Sequence, residues 1–121
     1  MNNKKKILVT GVAGFIGYHF VKKLLNLNYE VCGIDSINNY YSVKLKKNRL
    51  KNLFNLNKNF YFYKVNISNK KILRKIFNDF RPDIVVNLAA QAGVRDSLKY
   101  PEKYLKFNII GFLNILELSK E

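Results

Sequence analysis

Three glycines, spaced three residues apart, are the residues whose type and spacing most directly suggest chemistry. Gly11, Gly14 and Gly17 follow the apolar run Ile7–Val9 and precede an amphipathic stretch, an order that predicts a strand, a tight turn and a helix. We expect Gly11 to turn the chain, Gly14 to let backbone amides approach a phosphate, and Gly17 to let the helix pack against the strand. The N–H groups and positive dipole end of that helix would suit a pyrophosphate.

A carboxylate supplies the second chemical signal. Asp35 closes an apolar run and lies 18 residues after Gly17, close to the interval of about 20 residues in dinucleotide-binding units. It could accept hydrogen bonds from both hydroxyls of an adenosine ribose and would repel a 2′-phosphate, and its neighbours Ser36 and Ile37 offer no cation. The pattern therefore favours NAD over NADP. A structural glycine turn and a strand-end aspartate remain alternatives, because the spacing is not the commoner G-x-G-x-x-G.

Alternating strands and helices must position these residues. The hydrophobic periodicity predicts strands at 5–10, 30–34, 60–65 and 83–88 and helices at 15–27, 43–54, 69–79 and 101–119, with a loop at 89–97. This order predicts an α/β, Rossmann-like parallel sheet with strand order 3-2-1-4 and helices on both faces. We also expect Ser68 to cap the third helix and Pro82 to hold Arg81 in an extended conformation.

Length and composition limit the possible classes of protein. The 121 residues suffice for one domain, 1–121. No apolar run approaches the roughly 18 residues of a membrane span, and Ile7–Val9 is too short for a signal peptide, so we expect a cytoplasmic protein with no membrane partner. The single cysteine, Cys32, cannot form an internal disulfide and is expected in the core.

The net charge of +14 invites a nucleic-acid interpretation. The 18 lysines far outnumber the 4 arginines, accompany 17 asparagines, and are spread along the whole chain. A nucleic-acid surface would need basic residues clustered with arginine or aromatic contacts. The pattern indicates a biased composition, and we expect no nucleic-acid partner.

Four segments together resemble the NAD-dependent epimerase/dehydratase group of the extended short-chain dehydrogenase/reductases. They are Val9–Gly17, Gly33–Tyr41, Asn87–Arg95 and Asn108–Glu117. The last three are similar to nucleotide-sugar 4-epimerases, and most of all to the UDP-glucuronate 4-epimerases. The resemblance covers essentially the whole chain, so it implies an NAD site along the carboxyl ends of the strands.

The resemblance implies roles by position. The implied cofactor contacts are Gly11, Gly14, Phe15, Ile16 and Gly17 at the pyrophosphate turn, Asp35 and Asn38 at the adenosine ribose, Asn66 and Ile67 at the adenine edge, and Leu88, Ala89, Ala90, Gln91 and Asn108 near the nicotinamide ribose. Asn66 replaces the aspartate usual in the family, so weaker binding is expected. Arg95 is implied as a nucleotide-sugar contact, with a surface or loop-tethering role as the alternative.

The resemblance also implies a reaction, in which hydride passes from C4 of the sugar to NAD and returns to the other face. This chemistry needs a tyrosine base, a lysine four residues later and a Ser or Thr, which in the family follow the fifth and sixth strands, past residue 121. Tyr40 and Lys44 have this spacing but follow the second strand, so we interpret them as a coincidence. No catalytic or metal-binding residue is predicted.

Three interpretations of the function stay open. The chain is an N-terminal NAD-binding fragment of a nucleotide-sugar 4-epimerase, inactive alone, with the substrate domain absent and the edge of the truncated sheet bare. Alternatively, it is half of a split epimerase or dehydratase, completed by a separately encoded C-terminal partner chain that carries the catalytic residues. A homodimer is the other partnership expected, and a 4,6-dehydratase is the alternative activity within the family. The third interpretation is a stand-alone NAD-binding module.

Overall fold

The computed structural model describes residues 4–56 and 59–121. Its strands are β1 (Lys6–Thr10), β2 (Glu30–Asp35), β3 (Phe60–Lys64) and β4 (Ile84–Asn87). Its helices are α1 (Phe15–Asn26), α2 (Val43–Leu56), α3 (Lys70–Phe80), α4 (Val94–Lys99), α5 (Pro101–Tyr104) and α6 (Gly111–Lys120), with a π-helical segment, Leu105–Ile110, between α5 and α6. No helix in these ranges has the length and apolar composition needed to cross a bilayer.

The four strands form one parallel sheet in the order β3-β2-β1-β4, which confirms the predicted fold class and strand order. In this register Val9 of β1 lies between Gly33 of β2 and Val86 of β4. Because the strands are parallel, their carboxyl ends meet at one edge of the sheet. The glycine turn, Asp35 and the segment after β4 are therefore brought to the same place.

Helices cover both faces of the sheet, because the central strands are apolar on both sides. Alternate residues of β1 point to opposite faces, with Val9 in one buried cluster and Leu8 in the other. The first cluster contains Val21 and Leu25 of α1 and Leu53 of α2. The second contains residues of α3 and α6: Leu73, Ile76, Phe77, Phe80, Ile115 and Leu118.

Cys32 lies in the core, as predicted. Its side chain is fully buried in β2 and the thiol is free. Burial raises the pKa of this thiol to about 12, because an apolar environment disfavours the thiolate. Cys32 is therefore a packing residue and not a reactive one.

The helical part after β4 differs from the prediction. The predicted loop at 89–97 contains the start of α4, which runs from Val94 to Lys99. The predicted single helix at 101–119 is divided by the π-helical segment. The hydrophobic spacing could not distinguish these forms, because a π turn shifts the helical face by only one residue.

Two local predictions around α3 are wrong. The N-cap is Asn69, whose side-chain oxygen accepts a hydrogen bond from Ile72 N at 3.3 Å, whereas Ser68 donates its own N–H to Asn66 Oδ1 at 2.9 Å. Arg81 is left-handed, with φ of 54°, and not extended. In that conformation its N–H donates to Phe77 O at 2.8 Å and closes the last turn of α3.

Candidate functional site

The first glycine makes a turn that other residues could not make easily. Gly11 has a φ of 77°, in the left-handed region, and its N–H donates to Ile34 O at 2.7 Å. A Cβ on Gly11 would lie 2.9 Å from Ala89 N. This glycine therefore turns the chain off β1 and also lets the segment after β4 approach it, which confirms the turn predicted from the sequence.

The third glycine brings α1 against the turn, as predicted. A Cβ on Gly17 would overlap the carbonyl oxygen of Gly11 and lie 2.8 Å from its carbonyl carbon. Gly14 is the N-cap of α1, with no side-chain cap and no acidic residue in the first turn. The first N–H groups of α1 thus receive no side-chain acceptor at the cap, and no carboxylate lies within the first turn of the helix itself.

Asp35 connects the end of β2 to the glycine turn. Its Oδ2 accepts a hydrogen bond from Ala13 N at 3.0 Å, and its Oδ1 accepts one from Ile37 N at 2.8 Å. An ionised carboxylate has about four acceptor positions, so each oxygen keeps capacity for one further donor. The carboxylate can therefore fix the turn and still accept two ligand hydroxyls.

A groove along the carboxyl ends of the four strands brings most of the predicted cofactor residues together. The predicted residues that line it are Gly11, Gly14, Asp35, Asn38, Asn66, Ile67, Leu88, Ala89, Ala90 and Gln91. Five others lie outside the lining: Phe15, Ile16, Gly17, Asn108 and Arg95. Phe15 and Ile16 are at the start of α1 with their side chains directed to solvent, so any contact they make with a phosphate would use their backbone N–H groups.

One wall of the groove is held by α6. Asn114 donates from Nδ2 to Ile67 O at 2.9 Å, and Gly111 lies directly against the Ile67 side chain. Asn66 Oδ1 accepts the Ser68 N–H and retains a second lone pair for a ligand donor. The position of the predicted adenine contacts therefore depends on a helix more than 40 residues later.

Two polar side chains fix the segment after β4. Thr10 Oγ1 accepts hydrogen bonds from Leu88 N and Ala89 N, both at 3.0 Å. Asn108, in the π-helical segment, accepts from Gln91 N at 2.7 Å and donates to Gln91 O at 3.1 Å. Asn108 thus holds this segment from outside the groove. The role of Thr10 in holding the same segment was not predicted from the sequence.

The loop after β2 crosses to the segment after β4. Asn38 donates from Nδ2 to Gln91 Oε1 at 3.3 Å, and Tyr40 lies against Gly93. Tyr104 donates from its hydroxyl to Gly93 O at 2.7 Å, and burial together with the nearby Asp96 carboxylate raises the pKa of Tyr104. These contacts close one side of the groove.

Lys46 is a groove residue that the sequence analysis missed. It is 5% exposed, and its Nζ donates to both Asn38 O and Asn38 Oδ1 at 2.8 Å. Burial lowers the pKa of Lys46, although the negative charge of Asp35 acts in the opposite direction. The available signal was its spacing, because Lys46 shares the buried stripe of α2 with Leu50 and Leu53.

Arg95 lies on α4, and its side chain is exposed and outside the groove. Tyr40 and Lys44 do not lie together in the groove: Tyr40 lines it, whereas Lys44 is exposed on α2. Among the described residues, no three His, Cys, Asp or Glu side chains form a group that could hold a metal ion.

Comparison with known proteins agrees with this fold. The sequence model of the GDP-mannose 4,6 dehydratase family matches residues 8–121 of the chain. The chain is 55% identical over 115 residues to Protein CapI of Staphylococcus aureus, covering 95% of this chain and 34% of that protein. It is 46% identical over 114 residues to the UDP-glucuronate 4-epimerase of Thermodesulfobacterium geofontis, covering 94% of this chain and 35% of the relative.

Among solved structures, the chain is similar to UDP-glucuronic acid 4-epimerase from Bacillus cereus, in complex with UDP-glucuronic acid and NAD. The TM-score is 0.84 at 40% identity, over 96% of this chain and 36% of the other. The chain thus spans about a third of the length of the relatives it matches.

Proposed function

The chain belongs to the GDP-mannose 4,6 dehydratase family, and we propose that it forms the NAD-binding part of a nucleotide-sugar 4-epimerase. One observation carries this proposal. The residues that resemble cofactor contacts come from separate parts of the sequence, and ten of them line a single groove at the carboxyl ends of the four strands. Open parallel sheets bind nucleotides at this edge.

The residues present fit an NAD molecule. The uncapped start of α1 and the absence of a Cβ at Gly14 leave backbone donors for the pyrophosphate. Asp35 has acceptor capacity for the two adenosine ribose hydroxyls, and we assign Asn66 and Ile67, which line the same groove, to the adenine edge. The segment Leu88–Gln91 would lie beneath the nicotinamide ribose.

We assign binding and orientation to these residues, and no proton transfer. Bound NAD would supply the hydride acceptor for C4 of a nucleotide sugar. Lys44 is exposed, apart from the groove that Tyr40 lines, so this pair is not proposed as a base. We propose that the catalytic residues, and most contacts to the sugar, come from the part of the enzyme that corresponds to the unmatched two thirds of the relatives. Arg95, exposed on α4, is proposed as a contact to that substrate.

A 4,6-dehydratase is the alternative within the same family, since the family is named for that activity. We favour a 4-epimerase because the relative from T. geofontis and the structure from B. cereus both carry that name. The proposed NAD site is the same in both cases. Measuring the product that an intact enzyme carrying these residues forms from UDP-glucuronic acid would separate the two.

The test is a fluorescence titration of the purified 121-residue chain with NADH, beside two variants. Asp35→Ala removes the carboxylate that would bind the ribose, so we expect about a tenfold or greater loss of affinity. Asp79→Ala removes an exposed carboxylate of α3 that is not part of the groove lining, and should leave the affinity unchanged.

Thermal melts of each variant must accompany the titration, because Asp35 also holds Ala13 N and Ile37 N. Asp35→Asn retains an oxygen acceptor and serves as a second, less disruptive variant. A folded wild-type chain that does not bind NADH would contradict the proposed function. Equal affinities for wild type and both folded Asp35 variants would contradict the role of Asp35.

A further inference from the structure

A buried ammonium group lies in the same groove as the Asp35 carboxylate. Lys46 and Asp35 both line it, together with Asn38 and Tyr41. Lys46 is 5% exposed and occupies a position on α2 that packing would otherwise give to an apolar residue. Long charged side chains are almost never buried in this way unless they are paired.

The contacts of Lys46 fix the position of its nitrogen. Two of its three N–H donors bind the oxygens of Asn38, both at 2.8 Å, and the nitrogen lies 4.2 Å from the centroid of the Tyr41 ring. A lysine ammonium has three donors, so one donor remains for a further acceptor. Burial lowers the pKa of Lys46, and the negative charge of Asp35 opposes this by favouring the protonated form.

A second cation on α2 has a different task. Arg49 donates from one guanidinium nitrogen to Ala13 O at 2.9 Å and to the Tyr41 hydroxyl at 3.0 Å. It therefore holds the glycine turn and the loop after β2 together, and it is not part of the groove lining. Within the groove lining, Asp35 and Lys46 are the acidic and basic side chains.

This arrangement bears on the choice between NAD and NADP. A 2′-phosphate on the adenosine ribose would be repelled by Asp35, but it would also find in Lys46 a fixed ammonium of the kind that binds phosphates. The expectation that the site lacks a cation came from the sequence neighbours of Asp35 alone. The fold supplies that cation from α2.

We propose that Lys46 is a specificity-determining residue. Its ammonium group could bind a 2′-phosphate, but the negative charge of Asp35 counterbalances the charge of this ammonium. Removing the charge of Asp35 therefore suffices to admit NADP. The proposal deepens the proposed function and rests on it, because it requires that the groove bind a dinucleotide. Asp35 then has two effects: it accepts the ribose hydroxyls of NAD, and it masks Lys46 from a 2′-phosphate.

The experiment titrates four proteins with NADH and with NADPH: wild type, Asp35→Asn, Asp35→Asn with Lys46→Met, and Asp35→Asn with Lys44→Met. We expect Asp35→Asn to raise the affinity for NADPH about tenfold relative to wild type, the gain that one charge-assisted hydrogen bond provides. Lys46→Met should abolish this gain. Lys44→Met removes the same charge two residues earlier, from an exposed position, and should retain it.

Each outcome decides the matter. If folded Asp35→Asn shows no gain for NADPH while it still binds NADH, or if Lys44→Met and Lys46→Met lower NADPH affinity equally, the proposal is overturned. If wild type binds neither nucleotide, the proposed function fails first, and this inference fails with it. Should Asp35→Asn not fold, Asp35→Ser provides a second neutral residue, and Lys46→Arg in that background should retain the gain because it keeps the cation.

Discussion

The two ends of the groove belong to parts of the molecule whose strands are buried to different degrees. In the turn half (residues 6–35, with β1, α1 and β2), Leu8, Val9, Val31 and Ile34 are fully buried. In the β4 half (residues 84–120), no residue of β4 is buried, and Ile84 is 41% exposed. The difference follows from topology: β1 and β2 each have a strand on both sides, whereas β4 has only β1 beside it among the described residues.

The same contrast continues into the helices. The β4 half carries exposed apolar side chains on α4, the π-helical segment and α6, among them Val94, Leu98, Ile109, Leu113 and Leu116. A parallel sheet is normally covered on both faces and extended until its edge is protected. The proposed adenosine end of the groove thus adjoins the buried strands β1 and β2, whereas the proposed nicotinamide end rests on elements whose apolar surface the described residues leave uncovered.

The largest expected effect compares one glycine from each half. Gly17→Ala would place a Cβ against the backbone of Gly11, which cannot move without breaking the turn, so we expect a loss of about 3 kcal/mol or more in the free energy of unfolding. Gly111→Ala meets only the Ile67 side chain and gains helix propensity, so a net loss of about 1 kcal/mol or less is expected. Urea denaturation of both variants measures the difference.

Equal losses for the two glycine variants would break the comparison. They would mean that the packing of α6 on Ile67 is as rigid as the packing of α1 on the turn. NADH titration gives a second measurement, since Gly17→Ala should also abolish binding, whereas Gly111→Ala should change it only through Ile67.

A smaller effect comes from two valines that are aligned in register on neighbouring strands. Val9 and Val86 are paired across β1 and β4 and contact the same hydrophobic cluster, but only Val9 is fully buried. We expect Val9→Ala to lower the free energy of unfolding by about 2 kcal/mol and Val86→Ala by about 1 kcal/mol, in proportion to the area removed from water. Thermal or urea unfolding measures both values.

If Val86→Ala lowers the free energy of unfolding more than Val9→Ala does, the interpretation of the β4 half as the less buried region is reversed. If both variants unfold in a single transition with the same denaturant slope, the two halves form one cooperative unit despite their different burial.

The turn half could be predicted from the sequence because its signals are local. Glycine spacing, an apolar strand and a carboxylate about 20 residues later constrain each other within one βαβ unit, and the structure places Gly11, Gly17 and Asp35 accordingly. The strand order followed from the same chain of short connections. Local signals therefore predicted both the fold and the centre of the groove.

The missed features depend on contacts between distant segments. Lys46 reads as one more solvent-exposed lysine until α2 is seen to pack with that side inward, and Thr10 reads as a strand residue until Leu88 and Ala89 bind its hydroxyl. The π turn that presents Asn108 to Gln91 leaves no distinct hydrophobic pattern. Such contacts join residues 8 to 79 positions apart. Periodicity can indicate that Lys46 shares a helix face with Leu50 and Leu53, but it cannot indicate which distant groups these side chains contact.

The smallest expected effect concerns the ion pair that joins α3 to Glu121, the residue that follows α6. Arg74 of α3 and Glu121 lie 3.1 Å apart, with about half of each side chain exposed. Exposed pairs contribute about 0.5 kcal/mol or less and are screened by salt, so Arg74→Gln should barely change the unfolding midpoint, and less still at high ionic strength. If α6 is held on the sheet by Ile115 and Leu118, as their burial indicates, Leu118→Ala will cost several times more than Arg74→Gln. The reverse order would mean that charge and not apolar packing holds α6 in place, and the contrast between the two halves would then lie in the type of contact as well as in its extent.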